Sequence, residues 1–159
     1  MIISAFPGTG KTFASKKFED IAVDLESSAY QWYDYDFEHV EQRKGKTTEK
    51  KILWPRNYFD DIVSSNIKFP FVFISSNPVI LDMLSFHDVK FVTVTPKISD
   101  KKDYLDSYIK RGNPEEFVNK ISDNFDSFIK SLDNNENALC HVKLEHGKHI
   151  SDIITYLWK

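Results

Sequence analysis

The chain has little sulfur: one cysteine and two methionines in 159 residues. Cys140 has no partner in the sequence, which excludes an internal disulfide, and no cysteine–histidine cluster has the spacing of a zinc site. A long hydrophobic run is missing as well. The apolar stretch after Met1 breaks at Pro7-Gly8, far short of the ~20 residues a membrane span needs, so no membrane partner is expected. With no signal peptide and no thiol pair, the expected setting is the reducing cytoplasm. Nor does one sign of charge dominate. A formal net charge of -3 gives no global pull toward nucleic acid, which is not expected as a partner. Any cation with a function must act locally.

What is present is an ordinary soluble balance, 41% hydrophobic and 28% charged. Aromatic residues reach 14%, and 13 of them are phenylalanine, enough to build a core or line a pocket with rings. The length suits a single domain over residues 1–159.

Ile2-Ile3 reads as a buried strand that runs into a glycine-rich turn. Residues 11–21 read as a helix with Phe13, Ala14, Phe18 and Ile21 near one face. Further strands are expected at 21–24, at 69–74 with Pro70 weakening its start, at 91–95 stopped by Pro96, and at 139–144. Asn77-Pro78 has the cap and first-turn proline of a helix start. Residues 103–110 form a helix closed by Gly112. Asn113-Pro114-Glu115-Glu116 then opens a long one carrying Phe117, Ile121, Phe125, Phe128, Ile129 and Leu132. A last helix is expected over 150–158. Strands alternating with helices predict an α/β domain with three layers, a five-stranded parallel sheet covered on both faces. The least regular region is 28–57. Its charged middle, 43–51, is either a solvated loop or a mobile flap over a substrate.

One motif carries chemistry on its own. Ala5-Phe-Pro-Gly-Thr-Gly-Lys-Thr12 is a phosphate-binding loop pattern with alanine where glycine is usual. The relaxed pattern arises by chance in about one chain of this length in a hundred, and here it sits between a predicted strand and a predicted helix. In the nucleotide-binding loop Pro7, Gly8, Thr9, Gly10, the two glycines let backbone N–H groups turn inward to cradle phosphate oxygens at a helix N-terminus. Lys11 reaches the β- and γ-phosphates of ATP, and the Thr12 hydroxyl binds Mg²⁺. Alanine at position 5 lies where the strand leaves the sheet, and its methyl is tolerable while φ stays negative.

The apolar strand ending at Ile74 is followed by serines and an amide, with no carboxylate to organise magnesium. Carboxylates instead end the second strand, in Val23-Asp-Leu-Glu-Ser-Ser28. Residues two apart in extended chain point the same way, so Asp24 and Glu26 can both face the γ-phosphate. Asp24 can then serve magnesium while Glu26 or Asp24 accepts a proton from an attacking hydroxyl.

The loop, the acidic pair and the five-strand plan resemble the small P-loop kinases, the relatives of adenylate, shikimate and gluconate kinases. A wider set resembles nucleoside or nucleotide kinase-like proteins of bacteriophages: Val23 to Ser28, Asn57-Tyr58, Tyr104 through Arg111-Gly-Asn113, Leu144-Glu-His-Gly147 and Ile150-Ser-Asp152. The likeness spans nearly the whole chain. It implies a P-loop NTPase fold with sheet order 2-3-1-4-5 and ATP-dependent phosphoryl transfer. It also implies an acceptor-side insertion at about 28–60 and a lid at about 97–114. Two positions depart: the second acid is Glu26 rather than aspartate, and Ser107 stands where a second lid arginine would be.

In such kinases the lid's cations offset charge on the transferring phosphoryl group, which makes Arg111, beside Gly112, the candidate. A solvent-facing arginine at a helix C-terminus is the alternative. On the acceptor side, Trp32, Tyr33, Tyr35, Phe37, Trp54 and Tyr58 are rings that can stack on a nucleobase or pack in a core. Arg56 stands between them, free to pair with an acceptor monophosphate or with a surface acid. The expected activity is phosphoryl transfer from ATP to a nucleoside or nucleoside monophosphate. Two alternatives stand: a nucleotide-binding sensor with little turnover, and a kinase of a sugar or modified nucleic-acid base.

Overall fold

The strands of this chain are short and apolar, and the central ones are buried on both faces. That is the signature of a parallel sheet between helical layers. The computed structural model, which describes residues 1–33 and 49–157, has five strands. They are β1 (Ile2–Ala5), β2 (Ala22–Asp24), β3 (Phe71–Ser75), β4 (Phe91–Thr95) and β5 (Ala138–Lys143). All pair in parallel, in the order β2-β3-β1-β4-β5, so the strand leading into the glycine-rich turn is the central one.

Alternation along the strands sorts side chains to two cores. Ile2, Val72 and Ile74 face one way. They meet Tyr58, Phe59 and Ile62 of α3 (Arg56–Lys68), Ile80 and Leu84 of α4 (Pro78–Phe86), and Phe125 and Ile129 of α6 (Glu115–Asp133). Ile3, Ala5, Phe71 and Phe73 face the other way. There they meet Ala14 of α1 (Lys11–Lys17) and Ile150 and Ile154 of α7 (Ile150–Leu157). The outer strand β5 leaves Leu139 and Cys140 exposed. No helix among the described residues is long and apolar enough to cross a membrane.

Local signals set several boundaries. Asn77 caps α4 by accepting the Val79 N–H at 3.0 Å, with Pro78 in the first turn. The helix α5 (Lys101–Lys110) ends where Gly112 turns to φ 75°. There the Asn113 N–H bonds the Tyr108 carbonyl at 3.1 Å, a closure open to glycine and strained for other residues.

Other expectations shift. Helix α1 stops at Lys17 rather than residue 21. Phe18 leaves helical geometry and its carbonyl accepts the N–H groups of Ile21 and Ala22, turning the chain into β2. Phe13, expected on the buried face, is exposed because Ala14 takes the place against the sheet, and one residue along a helix is about 100° around it. Helix α6 begins with Pro114 at the cap position and no side-chain cap, so Asn113 does not play that part; Glu115 and Glu116 do occupy the first turn. Two helices lie where no regular structure was read or assigned: α2 (Ser27–Gln31) and α3. Tyr35, Phe37, most of the charged run at 43–51 and Trp158 lie outside the described residues.

Candidate phosphate-binding site

Ala5 is the last residue of β1, paired with Ser75 on one side and Val94 on the other, and wholly buried. Its φ is not positive: among the described residues other than glycine only Asp88 has a positive φ. The methyl therefore sits in strand geometry at no backbone cost, which answers the departure from glycine at this position. The turn proper comes later. Gly8 and Gly10 take φ of 82° and 90°, in the left-handed region. Thr9 pins the turn by donating its hydroxyl to the Phe6 carbonyl at 2.7 Å.

Two other parts of the chain clamp this loop. Tyr108 of α5 donates its hydroxyl to the Pro7 carbonyl at 2.7 Å. A Cβ placed on Gly8 would lie 2.9 Å from the Tyr108 ring and 3.1 Å from an Arg111 guanidinium nitrogen. The Ile150 N–H, at the start of α7, donates to the Thr9 carbonyl at 3.0 Å, and a Cβ on Gly10 would meet His149 at 3.2 Å. Conformation thus favours glycine at both positions, and at Gly8 the Tyr108 ring leaves no room for a Cβ besides.

The chemistry-bearing side chains gather at the carboxyl ends of β1, β2 and β3. The Lys11 ammonium donates to the Ala5 carbonyl at 3.0 Å. Burial pulls its pKa down; the carboxylates of Asp24 and Glu26 act against that, and the Arg111 guanidinium adds to it. Thr12 donates its hydroxyl to Asp24 Oδ2 at 2.7 Å. Burial raises the Asp24 pKa, while Lys11 and the Thr12 hydrogen bond oppose the rise. The other oxygen of that carboxylate, Oδ1, is buried without a hydrogen-bond partner among the described residues, and so is the Ser75 hydroxyl. Buried polar atoms are rarely left so, and a ligand or water is the usual completion. Hard oxygens beside a helix N-terminus and a lysine suit magnesium with a phosphate chain, so the residues present fit that pair.

Glu26 is exposed and caps α2, accepting the Ser28 N–H at 3.2 Å, yet its charge is felt at both Lys11 and Asp24. Arg111 sits at the C-terminal cap of α5, 5.5 Å from the Tyr108 ring centroid and against the loop at Gly8. Lys11 and Thr12, Asp24 and Glu26, and Arg111, from three separate parts of the chain, are therefore neighbours.

The acceptor-side candidates fare differently. Tyr58 is completely buried, packed between Tyr30 (centroids 4.8 Å apart) and Trp54 (5.7 Å). Of the two readings open for this ring, stacking on a nucleobase or packing in a core, its burial matches the second. Instead its hydroxyl donates to the Leu25 carbonyl at 2.7 Å and accepts the Ser75 N–H at 3.2 Å, tying the exits of β2 and β3 together. Arg56 pairs with Asp60 in its own helix at 2.8 Å, both side chains more than half exposed. Trp32 is half-buried in an antiparallel bridge to Lys50, whose ammonium lies 5.8 Å from its ring centroid.

Sequence reasoning missed Tyr108, Ser75 and His149 as loop-side residues. Ser75 showed only as one of the serines where a strand-end carboxylate was missing, and Tyr108 only through the four-residue spacing from Tyr104 that puts both rings on one face of α5. No protein-family model matches this chain, and no curated protein does either.

Proposed function

We propose that this chain is a P-loop phosphotransferase that moves the γ-phosphoryl group of ATP to a small acceptor, a nucleoside or nucleoside monophosphate, with magnesium as cofactor. The observation that carries the reading is the convergence of Lys11, Thr12, Asp24, Glu26 and Arg111 on a glycine turn. A structural turn has no need of a half-buried lysine, a carboxylate oxygen without a partner among the described residues and an arginine at one place.

In this reading the backbone N–H groups of Gly8 to Thr12 hold the phosphates. Lys11 exchanges its bond to the Ala5 carbonyl for a phosphate oxygen. Thr12 and Asp24 hold magnesium, which offsets phosphate charge when bound. Arg111 adds positive charge where the transferring group passes, and lies at the end of a helix that already reaches the loop. For a hydroxyl acceptor, Glu26 or Asp24 takes the proton; burial raises the Asp24 pKa, which favours proton acceptance there. A phosphate acceptor needs no proton removal, and the acids then serve magnesium and positioning.

The hydrogen bond of Glu26 to Ser28 favours a second reading, a nucleotide binder with little turnover, because a carboxylate used as a cap is less free to act as a base. A panel of nucleosides, nucleoside monophosphates and sugars with ATP, scored by ADP release, divides the two. Acceptor-stimulated ADP is expected from one class in the panel, and tight ATP binding without it would leave only the binder. Lys11→Ala should weaken ATP binding by roughly 10- to 100-fold, the loss of one charge-assisted contact. Unchanged binding in that variant would sink the phosphate-loop reading.

A further inference from the structure

The strand-end position where a magnesium-organising carboxylate was sought carries Ser75, and the structure gives that serine a specific place. Ser75 pairs with Ala5, whose carbonyl receives Lys11, and lies two residues beyond Phe73, the partner of Asp24. Paired residues of a parallel sheet share a face, and so do residues two apart. Ala5 and Phe73 both pack in the core on the α1 side, so Asp24 and Ser75 project toward the face that α1 and Thr12 cover. Tyr58 fixes their separation from behind, with one hydroxyl bridging the Leu25 carbonyl and the Ser75 N–H. Among the described residues only two buried side-chain polar atoms lack a partner: Asp24 Oδ1 and Ser75 Oγ. Two orphaned oxygens on one face of adjacent strand exits, where the other buried side-chain polar atoms of the described residues have partners, mark one missing occupant.

We propose that Ser75 Oγ is the third protein oxygen of the magnesium site, beside Thr12 Oγ1 and Asp24 Oδ1. It stands in for the absent strand-end carboxylate as a neutral positioning group. This rests on the phosphotransferase reading and deepens it. A neutral oxygen lowers the site's negative charge by one relative to a second carboxylate. It therefore makes metal binding depend more on the nucleotide's own phosphates. Magnesium should bind weakly to the free protein and tightly with nucleotide.

The test is calorimetric titration of a non-hydrolysable ATP analogue into wild type, Ser75→Ala and Ser75→Thr, with EDTA and over a magnesium series. In EDTA all three should bind the analogue equally. In magnesium, Ser75→Ala should need about tenfold more metal for half its effect, the usual scale for losing a supporting ligand. Ser75→Thr, which keeps the hydroxyl, should respond as wild type does. Equal magnesium dependence in Ser75→Ala and wild type would overturn the proposal while leaving the phosphate loop standing. If Ser75→Ala fails to fold, Ser75→Cys decides, because a soft thiol is a poor magnesium ligand: a weakened magnesium response supports the role of the oxygen, and an unchanged one overturns it. Failure of wild type to bind the analogue under any condition would remove the phosphate-loop reading, and this inference with it.

Discussion

Tyr58 shows how much one hydroxyl can organise. Its ring fills core volume between Tyr30 and Trp54, while its oxygen serves both a donor and an acceptor at the ends of β2 and β3. Tyr58→Phe keeps the ring and strands two buried backbone groups, the Leu25 carbonyl and the Ser75 N–H. The expected cost is about 1–3 kcal/mol, a fall in Tm of roughly 2–10 °C for a chain of this size, read by thermal denaturation. If the nucleotide site is where we place it, the same variant should weaken the magnesium response, because Asp24 and Ser75 lose their brace. Ala5 teaches the complementary lesson. A position that looks like a defect in a motif is harmless when its backbone is ordinary strand. The two glycines that matter are those with left-handed φ and a ring or histidine at Cβ distance.

At the scale of elements, both ends of the loop are held by helices that come from far along the chain. The start of α7 is one of these holds. The Ile150 N–H reaches the Thr9 carbonyl, and the first turn is kept in shape by Asp152, whose carboxylate accepts the His149 N–H at 2.9 Å. That hydrogen bond, helped by the Lys148 and His149 charges, holds the Asp152 pKa below its ordinary value. A carboxylate with a depressed folded-state pKa adds stability above its unfolded pKa and loses it as pH falls through the folded one. Asp152→Ala should therefore melt below wild type at pH 7. The gap should close as the pH drops below the ordinary carboxylate range of about 4. A gap independent of pH would mean that the capping charge plays no part. Helix α3 escaped the sequence reading although Tyr58, Phe59 and Ile62 are buried at helical spacing. The irregular, charged stretch before it masked the start, and Pro55 at the cap position gives no side-chain cap bond to mark the boundary.

For the molecule as a whole, a ligand that binds only the folded state must raise its stability. Magnesium and ATP analogue at a hundredfold excess over Kd should add about 2.7 kcal/mol, a Tm rise of roughly 5–10 °C. The rise should shrink or vanish in Lys11→Ala at the same concentrations. No rise in wild type would contradict the proposed site. Periodicity and turn chemistry made the five strands, the phosphate-loop motif, the Asn77 cap and the long amphipathic α6 legible, because each depends on neighbours within a turn or two of chain. The strand order entered through resemblance rather than through pattern, since nothing in a strand's own residues names its partner. What only the tertiary structure decided are the relations across distance. The Tyr108 hydroxyl rests on Pro7, Arg111 lies against Gly8, Tyr58 is buried rather than offered to a base, and the oxygens of Asp24 and Ser75 share one face. Local sequence sets the conformation each segment prefers, but which side chains meet depends on how the layers pack, and that is a property of the whole chain.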